Sequence, residues 1–532
     1  MPEKRDVIII GGGHNGLVTA FYLAQAGFKP MILERRSQLG GAALTEEIIP
    51  GFRCSTLAHS AGPLSPRIVR DMQLEKHGLK MLRPETALFA PTADGRALLL
   101  HDDAARSAEG IAKFSSKDAA NYQEFARALA RIAPVLSKIL EQSPPDIGNP
   151  GAGDLWNLLK TGKALRGLGK ADIFRLLRWG PMAVADLAAE WFESEPLRAA
   201  IAARGIFGAF LGPWSAGSSL LLLIRAAADV HPAGSAAFVA GGLGALAGAM
   251  AASAEQAGVE TRTGADVAHI TIKDGKAVGV VLADGAEIAA GAVVSNADPK
   301  RTLLGMVGAS WLQPEFLLKL QNYRCSGVTA KINLALSGLP TFTALRNQIS
   351  SGSSALGGRI HIGAEIDYLE RAFDNAKYGE FSQDPYLDVA IPSVSDPSLA
   401  PPGQHVMSVY MQFAPFKLKA GTWPSRRDAL ADTVVKTLSA YAPDLPPLIL
   451  HRQVITPEDL EKTYGLTGGH IFHGELALDQ FYAMRPLLGW SRYRTPIPGL
   501  YLCGSGTHPG SGLNGISGAN AAKEILKDLR RR

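Results

Sequence analysis

The stretch Asp6-Val7-Ile8-Ile9-Ile10-Gly11-Gly12-Gly13-His14-Asn15-Gly16 restricts this chain more than any other. Val7 to Ile10 form an apolar run long enough for a short strand buried on both faces. Gly11, Gly13 and Gly16 then follow with the spacing G-x-G-x-x-G. That spacing permits a tight strand-to-helix turn in which a pyrophosphate approaches bare backbone. Leu17 to Ala26 carries a helical pattern, and Gly27 suits its end. The helix would point its positive N-terminal end at the phosphate, with His14 and Asn15 in the turn. Lys29 to Leu33 reads as a second strand. Glu34 at its end can accept both hydroxyls of a ribose, and Arg35 stands beside it. The segment therefore predicts a dinucleotide site. The acid favours a free diol, hence FAD or NAD over NADP, although Arg35 and Arg36 make the last exclusion less strict.

Two further segments choose between FAD and NAD. After Glu34 the chain runs Arg35-Arg36-Ser37-Gln38-Leu39-Gly40-Gly41-Ala42-Ala43. At the far end, Pro498 to Leu502 reads as a short strand running into the glycine-rich loop Cys503-Gly504-Ser505-Gly506-Thr507-His508-Pro509-Gly510. Leu513-Asn514-Gly515 then opens a helix pattern from Ile516 to Leu529. Together these resemble the two-domain flavoproteins that include glutathione reductase, amine oxidases and phytoene desaturases. The resemblance implies that Gly40 and Gly41 touch the cofactor through backbone, and that the Gly504–Ser505 loop and the helix after Asn514 meet the flavin. Helix-end N–H groups there would stabilise negative charge at the N1/C2=O edge of reduced flavin. Ala42 stands where many relatives carry an arginine, and Ser505 where most carry Asp or Ala.

The middle of the chain extends the likeness. Ala240-Gly241-Gly242-Leu243-Gly244 leads into a helix ending near Gly258. Val267 to Lys273 and Val278 to Leu282 flank the turn Asp274-Gly275, and a second turn at Asp284-Gly285 precedes Val293-Val294-Ser295-Asn296-Ala297-Asp298-Pro299. Asp-Gly pairs between β-rich runs predict hairpins. This stretch, and the block Gly465-Leu466-Thr467-Gly468-Gly469-His470-Ile471-Phe472-His473-Gly474-Glu475 with Arg485-Pro486 beyond it, resemble phytoene desaturase and carotenoid isomerase-like FAD-dependent oxidoreductases. Within that family the likeness is to the subgroup exemplified by pyridine nucleotide-disulfide oxidoreductase domain-containing protein 2. The resemblance implies an α/β, glutathione-reductase-type fold: a Rossmann-like FAD domain with an antiparallel-sheet plus helical substrate domain. It implies Val267 at the adenine. The motifs distribute the FAD-binding domain over 1–75, 232–300 and 486–532, and the substrate or cap domain over 76–231 and 301–485.

The chain's 532 residues suit two interleaved domains, and the 57 glycines suit a turn-rich α/β protein. A net charge of +5 is modest for this size, and no basic run with interleaved aromatics points to nucleic acid. Only Cys54, Cys325 and Cys503 occur, without a C-x-x-C or C-x4-C pair, so flavin disulfide reductase chemistry is excluded in its usual form. Three lone thiols fit a reducing compartment. His470 and His473 lack a nearby third ligand, so no metal is expected. The first strand begins by Asp6 with no secretory pattern before it, and no apolar run spans a bilayer. The expectation is a cytoplasmic protein, either free or peripheral to a membrane.

Residues 155–191 leave two readings open. Leu158, Leu159, Leu165, Leu168, Ile173, Phe174, Leu176, Leu177 and Trp179 alternate with Lys160, Lys163, Arg166, Lys170, Arg175 and Arg178. They form either a helix pair with a solvated basic face or a surface for peripheral membrane contact. Thr329 to Ala335, Leu387 to Ile391, Val406 to Phe413 and Leu448 to Ile455 read as antiparallel strands. Helices between Asp118 and Arg204 would complete a cap, with loops at 350–358 and 392–403. His59, Tyr464, His473 and Glu475 are the titratable candidates for the reacting end, and no Ser-His-Asp or paired-carboxylate set stands out. The expected chemistry is hydride transfer between flavin N5 and a small apolar substrate of isoprenoid or lipid type. A flavin amine oxidase and a non-catalytic flavin-binding partner protein are the alternatives.

Overall fold

The computed structural model describes residues 3–62, 64–148, 150–346 and 352–530. Two seven-stranded sheets organise the chain. The first places Glu3–Ile10 between Glu287–Ser295 and Pro30–Leu33, both parallel to it, with Glu260–Arg262 beyond. The long strand Glu287–Ser295 serves two partners along its other edge. Its first half pairs antiparallel with Lys276–Leu282, which continues to Val267–Lys273, and its second half pairs parallel with Leu500–Leu502.

Alternation along Glu3–Ile10 divides the core. Val7 and Ile9 pack beneath the helices His14–Gln25, Leu243–Gln256 and Ile516–Leu529 through Leu17, Leu246, Met250 and Ile525. Ile8 and Ile10 pack on the opposite face with Met31, Leu33, Val293 and Leu303. The first helix begins at His14, three residues before the expected Leu17, because Gly13 already has the extended conformation of an N-cap.

The second sheet runs Ile449–Ile455, Thr329–Leu336, His405–Gln412, Leu387–Ala390, Arg359–Ile362, Thr86–Pro91, Ala97–His101. All pairs are antiparallel except Arg359–Ile362 with Thr86–Pro91. One face carries Ile332, Leu334, Ile360, Ile362, Leu387, Val389, Met407, Val409 and Met411 against the helix Trp423–Ser439. The alternate positions Lys331, Asn333, His361, Asp388, Ser408 and Gln412 form a second face that is polar and nevertheless buried.

A helical layer completes the molecule: Ser116–Leu140, Ala152–Gly167, Gly169–Trp179, Val184–Trp191, Glu195–Ile206 and Ser218–Ala226. Gly352–Leu356 forms a short helix where a loop over 350–358 is expected, while 350 and 351 lie outside the described residues. The loop expected at 392–403 holds two 3-10 turns, Pro392–Val394 and Pro397–Leu399. The three cysteines are free and buried. Among the described residues no helix is long and apolar enough to cross a membrane.

Candidate active site

A cavity of about 350 Å³ is lined by residues of both sheets, from Glu34 at one end to Arg359 and Asp388 at the other. Close packing of backbone shapes its first part. A Cβ on Gly16 would lie 2.3 Å from the carbonyl oxygen of Gly11, and one on Gly13 would lie 2.7 Å from Nδ2 of Asn296. Gly41, at φ +60°, passes so near that its Cβ would lie 3.0 Å from Cα of Gly13. The N–H of Gly40 bonds the Gly12 carbonyl at 2.8 Å, fixing the Gly-Gly pair over the first turn.

This part fits a dinucleotide. No side chain caps the helix His14–Gln25, and the bond from Leu17 N to Gly13 O at 3.0 Å is its first turn closure. Its leading N–H groups thus stay available to an anion. Glu34 accepts from Gly12 N and Arg36 N, both at 2.9 Å, so each carboxylate oxygen is held by one backbone N–H. Its remaining lone pairs can take ribose hydroxyls. Nε2 of His14 and Nδ1 of His473 are buried without a protein partner, so both suit a bound polar group. Burial and the neighbouring His473 push His14 down to about 4. His473 is also lowered by burial, with Asp298 opposing.

The cavity wall includes Gly11, Gly13, His14, Glu34, Arg35, Gly41, Ala42, Val267, Ser505 and Leu513, together with His59, Tyr464 and His473. Asn15, Gly16, Gly40, Gly504 and Asn514 stand behind that wall. Asn15 donates to Ser505 Oγ at 3.3 Å and accepts from Gly518 N at 3.2 Å, joining the two glycine loops. Asn514, one residue ahead of the Gly515 N-cap of the last helix, accepts from Ile516 N at 2.8 Å. A Cβ on Gly504 would lie 2.5 Å from the Asn296 carbonyl and 3.1 Å from His473 Nδ1. Arg35 turns its guanidinium to the Thr463 carbonyl.

Glu475 does not reach the cavity. The chain turns at Gly474, φ +136°, and the Glu475 carboxylate meets Arg324 Nε at 2.7 Å instead. Tyr464 lies under Arg36, whose guanidinium carbon is 4.8 Å from the ring centre. Tyr464 therefore belongs to the Glu34 end rather than to the end where His59 stands. Asp298 ties the Gly465–Glu475 block to the first sheet by accepting from Thr467 Oγ1 at 2.7 Å and Arg301 N at 2.9 Å.

The other end is built from the polar face of the second sheet, and most of it is absent from the expected site. His59 Nε2 lies 3.1 Å from Asp388 Oδ1, and its Nδ1 lies 2.9 Å from Lys331 Nζ. Asp388 is paired with Arg359, and Lys331 sits 4.0 Å from the centre of the Tyr410 ring. Burial pushes His59 down to about 4 and Lys331 down to about 7. Burial opposes ionisation of Asp388, but Arg359 and His59 hold it well below the usual carboxylate range. Arg204, Arg225 and Asp229 join the wall from the helical layer and its following loop, and Phe207, Phe472, Ile471 and Leu57 line the same cavity. The available sequence signal was Lys331 and Asn333, two apart in an otherwise apolar strand. The remaining members come from separate segments.

A family model described as flavin containing amine oxidoreductase matches residues 16–526. Pyridine nucleotide-disulfide oxidoreductase domain-containing protein 2 of Rattus norvegicus is 38% identical, over 100% of this chain and 94% of the relative. Hydroxyneurosporene desaturase of Cereibacter sphaeroides is 27% identical, over 99% of this chain and 98% of its own length. In fold, the chain matches the crystal structure of an oxidoreductase from Methanosarcina mazei with a TM-score of 0.61 at 16% identity, covering 98% of this chain and 100% of the other. The glycine loops, the carboxylate at Glu34 and these matches across almost the whole sequence agree: the chain belongs to the flavin-containing amine oxidoreductase family and is an FAD-dependent oxidoreductase.

Proposed function

We propose that the protein transfers hydride between FAD and a C–H bond of an apolar, isoprenoid or lipid-like substrate, by desaturation, saturation or isomerisation. One observation carries this reading: the cavity lined by the glycine loops is also walled by Leu57, Ala203, Phe207, Ile471 and Phe472. Bound FAD supplies a hydride acceptor, or a donor when reduced. Gly11, Gly13, Glu34, Gly41, Val267, Ser505 and Leu513 would hold it. The aromatic and aliphatic wall would orient the substrate carbon and exclude water. A C–H bond activated by conjugation needs little acid–base help, which suits an end where burial keeps His59 neutral. In this reading 1–75, 232–300 and 486–532 bind FAD, and 76–231 with 301–485 bind substrate. The division is supported by the two sheets drawing their strands from those respective segments.

Anaerobic mixing of the purified flavoprotein with a panel of terpenes, conjugated polyenes and small amines tests the proposal. Loss of the visible flavin band with an isoprenoid or polyene is expected. Bleaching by amines alone, with peroxide release in air, would establish the amine oxidase alternative. That alternative is disfavoured by Arg225 in the cavity wall, a guanidinium with no carboxylate partner among the described residues, which would repel an ammonium. Flavin that no donor reduces would leave a binding protein.

Peripheral membrane contact belongs to the same proposal. Trp156, Leu159, Phe174 and Leu177 are 60%, 66%, 59% and 68% exposed on the paired helices Ala152–Gly167 and Gly169–Trp179. Lys160, Lys163 and Lys170 stand among them, a composition suited to an anionic bilayer interface. The candidate surface is narrower than 155–191, since Val184 and Leu187 are core residues.

A further inference from the structure

The substrate end of the cavity carries more positive charge than its own carboxylates balance. Arg204 lies 3.5 Å from Asp229, and Arg359 is paired with Asp388. Arg225 has no carboxylate partner among the described residues. Its guanidinium donates to the carbonyls of Arg204 and Phe207 at the end of the helix Glu195–Ile206, and it lies 5.7 Å from the centre of the Phe207 ring and 5.8 Å from that of Phe472. Two carbonyls and a helix terminus supply partial negative charge only. At least two of its five N–H groups stay uncommitted, and its neighbours Phe207 and Phe472 keep the surroundings apolar.

The three guanidiniums also converge. A Cβ on Gly234, at φ +84°, would lie 2.8 Å from Nη1 of Arg359 and 3.8 Å from Nε of Arg204. The absent side chain thus lets the Arg359 guanidinium pack against the Gly234 backbone, with Asp229 Oδ2 also 3.8 Å away, and Arg204, Arg225, Gly234 and Arg359 all line the same cavity. Burial and Arg204 push Arg225 down to about 9, which leaves it charged at neutral pH. Lys331, which also has no carboxylate partner among the described residues, is brought to about 7 by burial and can shed its charge. One permanent uncompensated charge calls for one monoanion.

We propose that the substrate bears a carboxylate at one end of its apolar body, and that Arg225, flanked by Arg204 and Arg359, receives it. A guanidinium fork matches the two oxygens of a carboxylate, and pairing inside an apolar cavity is far less screened than at the surface. The aromatic pair Phe207 and Phe472 would then hold the first carbons of the chain, leaving the rest directed toward the glycine loops. This inference rests on the reading of the cavity as the substrate chamber.

Calorimetric titration of the holoprotein with octanoate, methyl octanoate, octan-1-ol, octylamine and octyl phosphate tests it. Octanoate should bind at least tenfold more tightly than the ester and the alcohol, and octylamine most weakly. In Arg225→Gln the advantage of acid over ester should fall below threefold at unchanged flavin content, and Arg225→Lys should keep part of it. Equal binding of acid and ester to the wild-type protein would overturn the proposal, whatever the variants do. So would an Arg225→Gln protein that keeps the full preference, or octyl phosphate binding more tightly than octanoate. Because binding is read without turnover, the two proposals fail separately. An unreactive flavin removes hydride transfer and leaves the acid preference standing, whereas lost preference with intact turnover removes only the carboxylate.

Discussion

Nζ of Lys331 lies 2.9 Å from Nδ1 of His59. An ammonium can only donate, so Nδ1 accepts and the ring proton sits on Nε2, where it donates to Asp388 at 3.1 Å. Asp388 is held in turn by Arg359. The pairing across the sheet makes this geometry, since Tyr410 is the register partner of both Lys331 and Asp388 on neighbouring strands. A chain of four polar side chains thus fixes the tautomer and orientation of an imidazole on the cavity wall.

Lys331 should give the protein a distinctive pH dependence. Burial lowers it from 10.5 to about 7. Between those values the unfolded chain binds one more proton than the folded one, so this residue makes stability rise with pH across that window. Below about 7 both states are protonated and the full cost of a buried ammonium is present. Relative to wild type, Lys331→Met should therefore gain most at pH 6, by on the order of 3–5 kcal/mol before any loss of the His59 contact. The gain should shrink toward pH 10. Urea midpoints of both proteins at pH 6, 8 and 10 check this, and a difference constant with pH would sink it.

Gly16→Ala should abolish flavin retention. The new methyl would sit 2.3 Å from the Gly11 carbonyl, and backbone cannot swing aside as a side chain can. Overpacking of this kind costs about 1–3 kcal/mol or more, roughly a five- to 150-fold loss of cofactor affinity where the turn carries the pyrophosphate. Gly162→Ala is the control. It lies inside the helix Ala152–Gly167 with open space at its Cβ and should stabilise by about 0.5–1 kcal/mol. The ratio of flavin to protein absorbance after purification separates the two, and a yellow Gly16→Ala protein would refute the turn's role.

Local pattern explains what could be read in advance. The run Val7–Ile10, the glycines and the helix Ile516–Leu529 are each specified within a dozen residues, and Ile516–Leu529 has the expected limits. The substrate end is different in kind. His59, Arg204, Arg225, Lys331, Arg359 and Asp388 come from six separate segments, and only strand pairing and the helical layer bring them together. Glu475 shows the complementary failure. Its glycine-rich block does reach the cavity through Ile471, Phe472 and His473, but one turn at Gly474 sends the carboxylate to Arg324. Thr86–Pro91 and Ala97–His101 are strands that the sequence marks weakly, because alanine, leucine and a proline carry little strand signal.

Contact with a bilayer should depend on the paired helices at 152–179. Wild-type protein is expected to float with vesicles containing anionic lipid and to be released by raised salt, since lysine contributions are screened over about 8–10 Å at ordinary ionic strength. Trp156→Ser with Phe174→Ser should reduce the bound fraction at least tenfold without changing flavin content, because both side chains are more than half exposed. Absence of flotation by the wild-type protein would end the membrane reading.

Arg485 should prove the residue on which the flavin loop most depends. It is fully buried and donates to carbonyls of Phe472, Gly474, Glu475 and Gln480 on one side and of Ser505 and Thr507 on the other. No carboxylate shares in this set, so carbonyl dipoles alone hold the charge against burial, which lowers its pKa. Arg485→Met would leave several buried acceptors without donors, at about 1–3 kcal/mol each. Arg485→Lys keeps the charge but, with three donors, cannot span both segments. The Met variant should melt several degrees lower and release flavin before its tryptophans report unfolding, because Ser505 and His473 line the cavity from the two segments it joins. The Lys variant should fall between. Thermal unfolding followed in parallel by flavin and tryptophan fluorescence would show this order, and an Arg485→Met protein that keeps its flavin to the wild-type melting temperature would exclude the role.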